Sequence, residues 1–138
     1  MRIVFIGGVQ FSELALHRVM KLNAQVVGVC TAKLGQPDAD RIDLAAVCDE
    51  YELNVRHCED INDQGTVDWI TALAPDVIFC FGWSRLLNNS LLSIPPLGVI
   101  GFHPARLPQN RGRHPLIWAL FLGLKKTAST FFFIFTNF

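Results

Sequence analysis

A chain of 138 residues is the length of one domain with a core of its own. With 51% hydrophobic and 17% charged residues, a disordered segment is excluded. Twelve basic and twelve acidic side chains cancel, which argues against an extended nucleic-acid surface, where a clustered positive excess is the norm. The one locally basic stretch, Arg106, Arg111, Arg113 and His114, suits a phosphate or two better than a long polyanion.

The four cysteines, Cys30, Cys48, Cys58 and Cys80, include no Cys-x-x-Cys pair. Zinc spacing is therefore absent, no metal is expected, and buried free thiols in a reducing cytosol are the favoured reading. MRIVFIGG at the amino terminus is too short and too quickly broken by glycine for a secretory signal. No apolar stretch approaches the roughly 18 residues of a spanning helix. A soluble, cytoplasmic protein away from membranes is expected.

Arg2–Ile6 reads as a buried first strand ending in Gly7-Gly8, and Phe11, Leu14, Ala15, Val19 and Leu22 then recur at helical spacing. Gln25–Thr31 is a second strand, followed by a polar loop from Lys33 to Asp43 that carries Gly35 and Pro37. Leu44–Tyr51 reads as a helix and Asn54–Arg56 as a short third strand. Val67, Ile70 and Leu73 mark a helix closed by Pro75. Asp76–Phe81 (DVIFCF) is the clearest buried strand. Gly82-Trp83-Ser84 leaves its end, a short helix runs through Leu92, and Val99–Phe102 is the next strand. Beyond an apolar helical stretch, Thr130–Phe133 suits a strand. The phenylalanine-rich end would be an aggregation hazard unless paired or covered.

Strands alternating with helices imply a parallel sheet covered on both faces, with ligands at the carboxyl ends of its strands. The loops to watch are then Gly7–Phe11, Gly82–Leu87 and His103–Arg113. His103, delivered by a strand end into a proline-braced loop, is the candidate catalytic group, although alone it could equally cap the strand. Gly7-Gly8 does not complete the dinucleotide fingerprint and reads as a tight strand-to-helix turn. His114 precedes Pro115 at a helix start. Trp69 and Trp118, at helical spacing among apolar residues, are expected in the core, whereas Trp83 at a strand end could wall a pocket. Lys125-Lys126 is a solvated turn.

The run GFHPARLPQNRGRHPLIWAL resembles the signature loop of formyltransferases that use 10-formyltetrahydrofolate, through His103, Pro104, Leu107, Pro108, Arg111 and Gly112. MRIVFIGGVQFSELAL resembles the opening strand, glycine turn and helix of methionyl-tRNA and sugar formyltransferases. DVIFCFGWSRLLNNSLL resembles the segment that lines their folate pocket. The resemblance runs from Met1 to about Phe133. It implies an α/β, Rossmann-like, open and mostly parallel sheet with helices on both faces, a single domain over 1–138, incomplete at its carboxyl end.

By this resemblance His103 is the catalytic histidine and 10-formyltetrahydrofolate the cofactor, held by Trp83, Ser84, Arg85, Leu86, Leu87 and Phe102. Gly8, Arg111 and His114 fall on the acceptor side. The family's asparagine, a second donor to the developing oxyanion, is replaced by Gly101. Its aspartate, which orients the histidine, is missing, the last Asp here being Asp76. The chain then reads as the cofactor-binding half of a formyltransferase, truncated before its catalytic centre closes and poor at turnover. The expected acceptor is a small-molecule amine, favoured as that of a nucleotide-linked amino sugar over methionyl-tRNA. The competing reading is a catalytically silent folate- or nucleotide-binding fragment, and a homo-oligomer is admitted.

Overall fold

The computed structural model describes residues 1–33 and 40–135. Gly35 and Pro37, expected to shape the loop after the second strand, lie outside the described residues.

Among the described residues eleven elements follow in chain order: β1 (Arg2–Ile6), α1 (Gln10–Lys21), β2 (Gln25–Ala32), α2 (Ala45–Glu50), β3 (Val55–Cys58), α3 (Gln64–Ala72), β4 (Val77–Cys80), α4 (Asn89–Leu92), β5 (Val99–His103), α5 (Pro115–Phe121) and β6 (Thr130–Ile134). The strands form one sheet in the order β3-β2-β1-β4-β5-β6. β1 to β5 are parallel and β6 runs antiparallel to β5. The expected open, mostly parallel α/β sheet is the observed architecture.

Side-chain alternation along β1 sends Ile3 and Phe5 to one face, with Leu16 of α1 and Val47 of α2. Val4 and Ile6 go to the other, with Ile70 of α3 and Leu91 of α4. Strands buried on both faces read as continuous apolar runs, which is why β1 and β4 are plain in the sequence. Gly28 in β2 answers to packing. A Cβ there would lie 2.7 Å from Trp69 Cη2 and 2.5 Å from Leu73 Cδ1, so its absence seats α3 on the sheet.

Two expectations are corrected. The third strand is Val55–Cys58, displaced toward the carboxyl end of Asn54–Arg56, because β3 pairs Val55 with Val29 and Cys58 with Ala32. Trp118 is not in the core: it is 54% exposed, and α5 buries none of its residues. A helix apolar all round carries no stripe that would say which face is covered. Trp69 does pack against the core. Among the described residues no helix is long and apolar enough to cross a membrane.

Candidate active site

Strand order reverses between β1 and β4, and the loops leaving β1, β4 and β5 meet above that point, where open α/β sheets hold ligands. Ser12 knits two of them together. Its hydroxyl accepts from Gly8 N (3.1 Å) and Val9 N (3.2 Å) and donates to Phe81 O (2.6 Å). The β1–α1 turn is thereby fastened to the end of β4. Gly82 continues from β4 at φ +74°, close against the Val9 side chain and 2.5 Å, measured from an added Cβ, from Ser12 Oγ. Only glycine satisfies both the backbone angle and the close approach.

β5 delivers His103 at its last position. The loop beyond is tied to β6 by Thr130, whose hydroxyl donates to Ala105 O (2.7 Å) and accepts from Leu107 N (3.3 Å). Phe102, on the opposite face of β5, stacks on Phe11 of α1 with centroids 4.0 Å apart and rings within 17° of parallel. His114, at φ 55°, precedes Pro115 at the first turn of α5, as expected.

These loops enclose a cleft of about 500 Å³, within the usual range for small-molecule sites. Of the residues expected there, Gly8, Trp83, Ser84, Arg85, Phe102, His103 and His114 line it. Leu86, Leu87 and Arg111 do not: Leu86 is 90% exposed, and Leu87 packs against the core cluster around Ile61 and Leu91. Asn62 pins this segment, donating from Nδ2 to Leu86 O (2.9 Å) and accepting from Asn88 N (2.8 Å).

Val9, Asp40, Arg41 and Arg113 also line the cleft. Arg41 arrives through a bridge to Val9 and the bond from Ile42 N to Gly8 O (2.9 Å). No local motif signals that long-range pairing. Ser12, a serine in the first turn of α1 shortly after Gly7-Gly8, is the cue that the sequence does carry.

Among the described residues that line the cleft, the charged ones are Asp40, Arg41, Arg85 and Arg113. Arg85 is braced from below by a hydrogen bond from Nη1 to Glu59 O. Two buried side-chain nitrogens among the described residues lack a hydrogen-bond partner, Trp83 Nε1 and His103 Nε2. Both belong to residues of this cleft. Leaving such a group unpaired costs about 1–3 kcal/mol, so each nitrogen calls for a partner that the described side chains do not supply. Beneath the site, burial pushes the Cys80 thiol up to about 12, which removes it as a nucleophile at neutral pH.

Gly101 lies two residues before His103 on the same face of β5. A Cβ there would meet Phe132 Cζ at 2.8 Å and Ile134 Cδ1 at 3.1 Å. Phe132, its partner across the ladder, occupies the volume a side chain at 101 would need.

Residues 1–138 match the protein-family model described as Formyl transferase. Methionyl-tRNA formyltransferase of Thermotoga maritima is 32% identical over 140 residues, covering 96% of this chain and 44% of that protein. The bifunctional polymyxin resistance protein ArnA of Wigglesworthia glossinidia brevipalpis is 29% identical over 133 residues, covering 94% of this chain and 20% of the relative. The crystal structure of phosphoribosylglycinamide formyltransferase from Bacillus halodurans superposes with a TM-score of 0.79 at 18% identity, over 99% of this chain and 73% of that one. The chain thus spans less than half the length of these curated relatives. Matched along its whole length by the family model, the chain belongs to the formyl transferase family.

Proposed function

We propose that the cleft binds 10-formyltetrahydrofolate and serves transfer of its formyl group to the amine of a small, anionic acceptor, with a nucleotide-linked amino sugar as the favoured class. The observation that carries this reading is the pair of unpartnered nitrogens, Trp83 Nε1 and His103 Nε2, in residues that line one cleft. The residues fit a folate: Trp83 and Phe102 offer flat apolar walls, and an indole N–H supplies a polar contact among them. Membership of the family supports the same cofactor.

The cofactor supplies an activated formyl carbon; the rest of the chemistry falls to the chain. His103 Nε2, when protonated, would donate to the formyl oxygen as negative charge develops there. When neutral, it would take the proton from the attacking amine and return it to the folate nitrogen as the bond from that nitrogen to the formyl carbon breaks. Preorganised donors of this kind are commonly worth 100- to 1,000-fold in rate. With no side chain at 101, His103 acts without the second side-chain donor that an asparagine would give, and turnover is correspondingly slow. Arg113 and His114, which line the cleft, suit the acceptor's phosphate.

A second reading has its own support. The relative from Thermotoga maritima is named for methionyl-tRNA, so that acceptor is tested beside the amino sugar. Formyl transfer is followed with each acceptor at low and high salt. The favoured reading expects slow, salt-tolerant turnover of the amino sugar, lost at least 100-fold in His103→Ala. Turnover of methionyl-tRNA alone, falling steeply with salt, establishes the second reading. No formyl transfer to either acceptor, by a folded chain that binds the cofactor, leaves a silent binding module.

A further inference from the structure

The segment between β4 and α4 carries Trp83, Ser84 and Arg85 to the cleft, yet it has little of its own to hold it. Among the described residues, Trp83, Ser84, Leu86 and Leu87 make no backbone–backbone hydrogen bond. The start is fixed by the close fit of Gly82 against Val9 and Ser12, and Leu87 packs against the core. The remaining hold comes from across the sheet, from the loop between β3 and α3. Asn62 Nδ2 donates to Leu86 O (2.9 Å) while Asn62 Oδ1 accepts from Asn88 N (2.8 Å). One amide thus ties two points of the segment, using a donor and an acceptor at once.

Asn62 is itself well aimed. Asp60 Oδ1 accepts from Asn62 N (2.9 Å), closing an Asx turn. Ile61 is fully buried in the core cluster that includes Leu91 of α4, and Asp63 caps α3. The residues on either side therefore hold the Asn62 backbone while its amide reaches across. Arg85 Nη1 meets the same loop at Glu59 O. Asn62 does not line the cleft, and 26 residues separate it from Asn88.

We propose that Asn62 is a positioning residue for cofactor binding, its amide holding residues 83–88 in the binding arrangement before the ligand arrives. The inference rests on the reading of the cleft as a folate site. A segment held beforehand costs the ligand no ordering; a released one must be ordered on binding, and affinity falls by that amount. Arg113 and His114, proposed for the acceptor, sit on a different loop. The effect of releasing residues 83–88 therefore falls on the cofactor alone.

Hydrogen exchange, and calorimetric titration with a non-reactive 10-formyltetrahydrofolate analogue, test this on the parent and on Asn62→Ala. The expected result is faster exchange at the Asn88 amide, with analogue affinity weakened about five- to tenfold and the α3 amides still protected. With formyl transfer followed, KM for the cofactor rises by the same factor while kcat and KM for the acceptor hold. General loss of structure does not give that split. Should Asn62→Ala fail to fold by circular dichroism, Asn62→Asp is read in its place, since it keeps the acceptor for Asn88 N and loses the donor to Leu86 O. A folded variant that binds the analogue as tightly as the parent, or a fall in kcat at unchanged KM, overturns the role of Asn62 and leaves the folate reading standing. A parent that binds no analogue overturns the folate reading, and this role with it.

Discussion

Gly101 and Phe132 face each other across the β5–β6 ladder, and together they explain why the site has no side chain beside His103. The glycine two residues before His103 is legible from the sequence, because the spacing is local. The occupant of the vacated volume is not, since a cross-strand partner some thirty residues away leaves no local trace. The consequence is a non-additive pair. Gly101→Asn alone forces Phe132 aside, and overpacking of this kind costs typically ~1–3 kcal/mol. Thermal melts are expected to show Gly101→Asn destabilised and Gly101→Asn with Phe132→Ala substantially recovered, with formyl transfer improved in the double variant only. Equal stability of the single variant and the parent would show that Phe132 moves freely and does not govern the position.

Among the elements, α3 shows how local chemistry places a helix against the sheet. Asp63 caps it, accepting from Thr66 Oγ1 (2.5 Å) and Thr66 N (2.9 Å), while Arg56 Nε donates to the same hydroxyl (3.0 Å). The Thr66 hydroxyl and backbone N–H hold the Asp63 carboxyl below its ordinary value. A carboxyl with a depressed folded pKa contributes its stability in full above the unfolded value, and loses it as pH falls through the folded one. Melting temperature followed from neutral into acid pH is therefore expected to fall for the parent. Asp63→Ala should start lower at neutral pH and show a shallower acid limb, and an unchanged limb would contradict the assignment. Helices with a one-sided apolar stripe, such as α3, could be read from spacing. α5 could not, because Pro115–Phe121 is apolar on every side and carries no stripe. Trp118 was misplaced for that reason.

At the scale of the whole molecule, alternation of strands and helices made the class of fold readable, and two-sided burial of β1 and β4 made its centre readable. The sheet order and the antiparallel β6 are properties of pairing, visible only once the chain is folded. The site divides the same way. The three loops that build it were legible as strand ends, whereas Arg41 and Asp40 reach it through a bridge between Val9, in the β1–α1 turn, and the stretch after β2. Leu86 and Leu87 illustrate the converse, being placed by sequence beside a pocket that the fold turns them away from. What unites these observations is a cleft at the carboxyl ends of β1, β4 and β5, proposed to hold a folate. Its most direct test is a calorimetric titration of the chain with a non-reactive 10-formyltetrahydrofolate analogue, repeated with Ser84→Tyr, a bulky group at an exposed position of the cleft wall. Saturable binding to the parent, weakened at least tenfold (about 1.4 kcal/mol) by Ser84→Tyr, is the predicted result. A folded chain that binds no analogue, or binds it equally well with the cleft obstructed, would contradict the account.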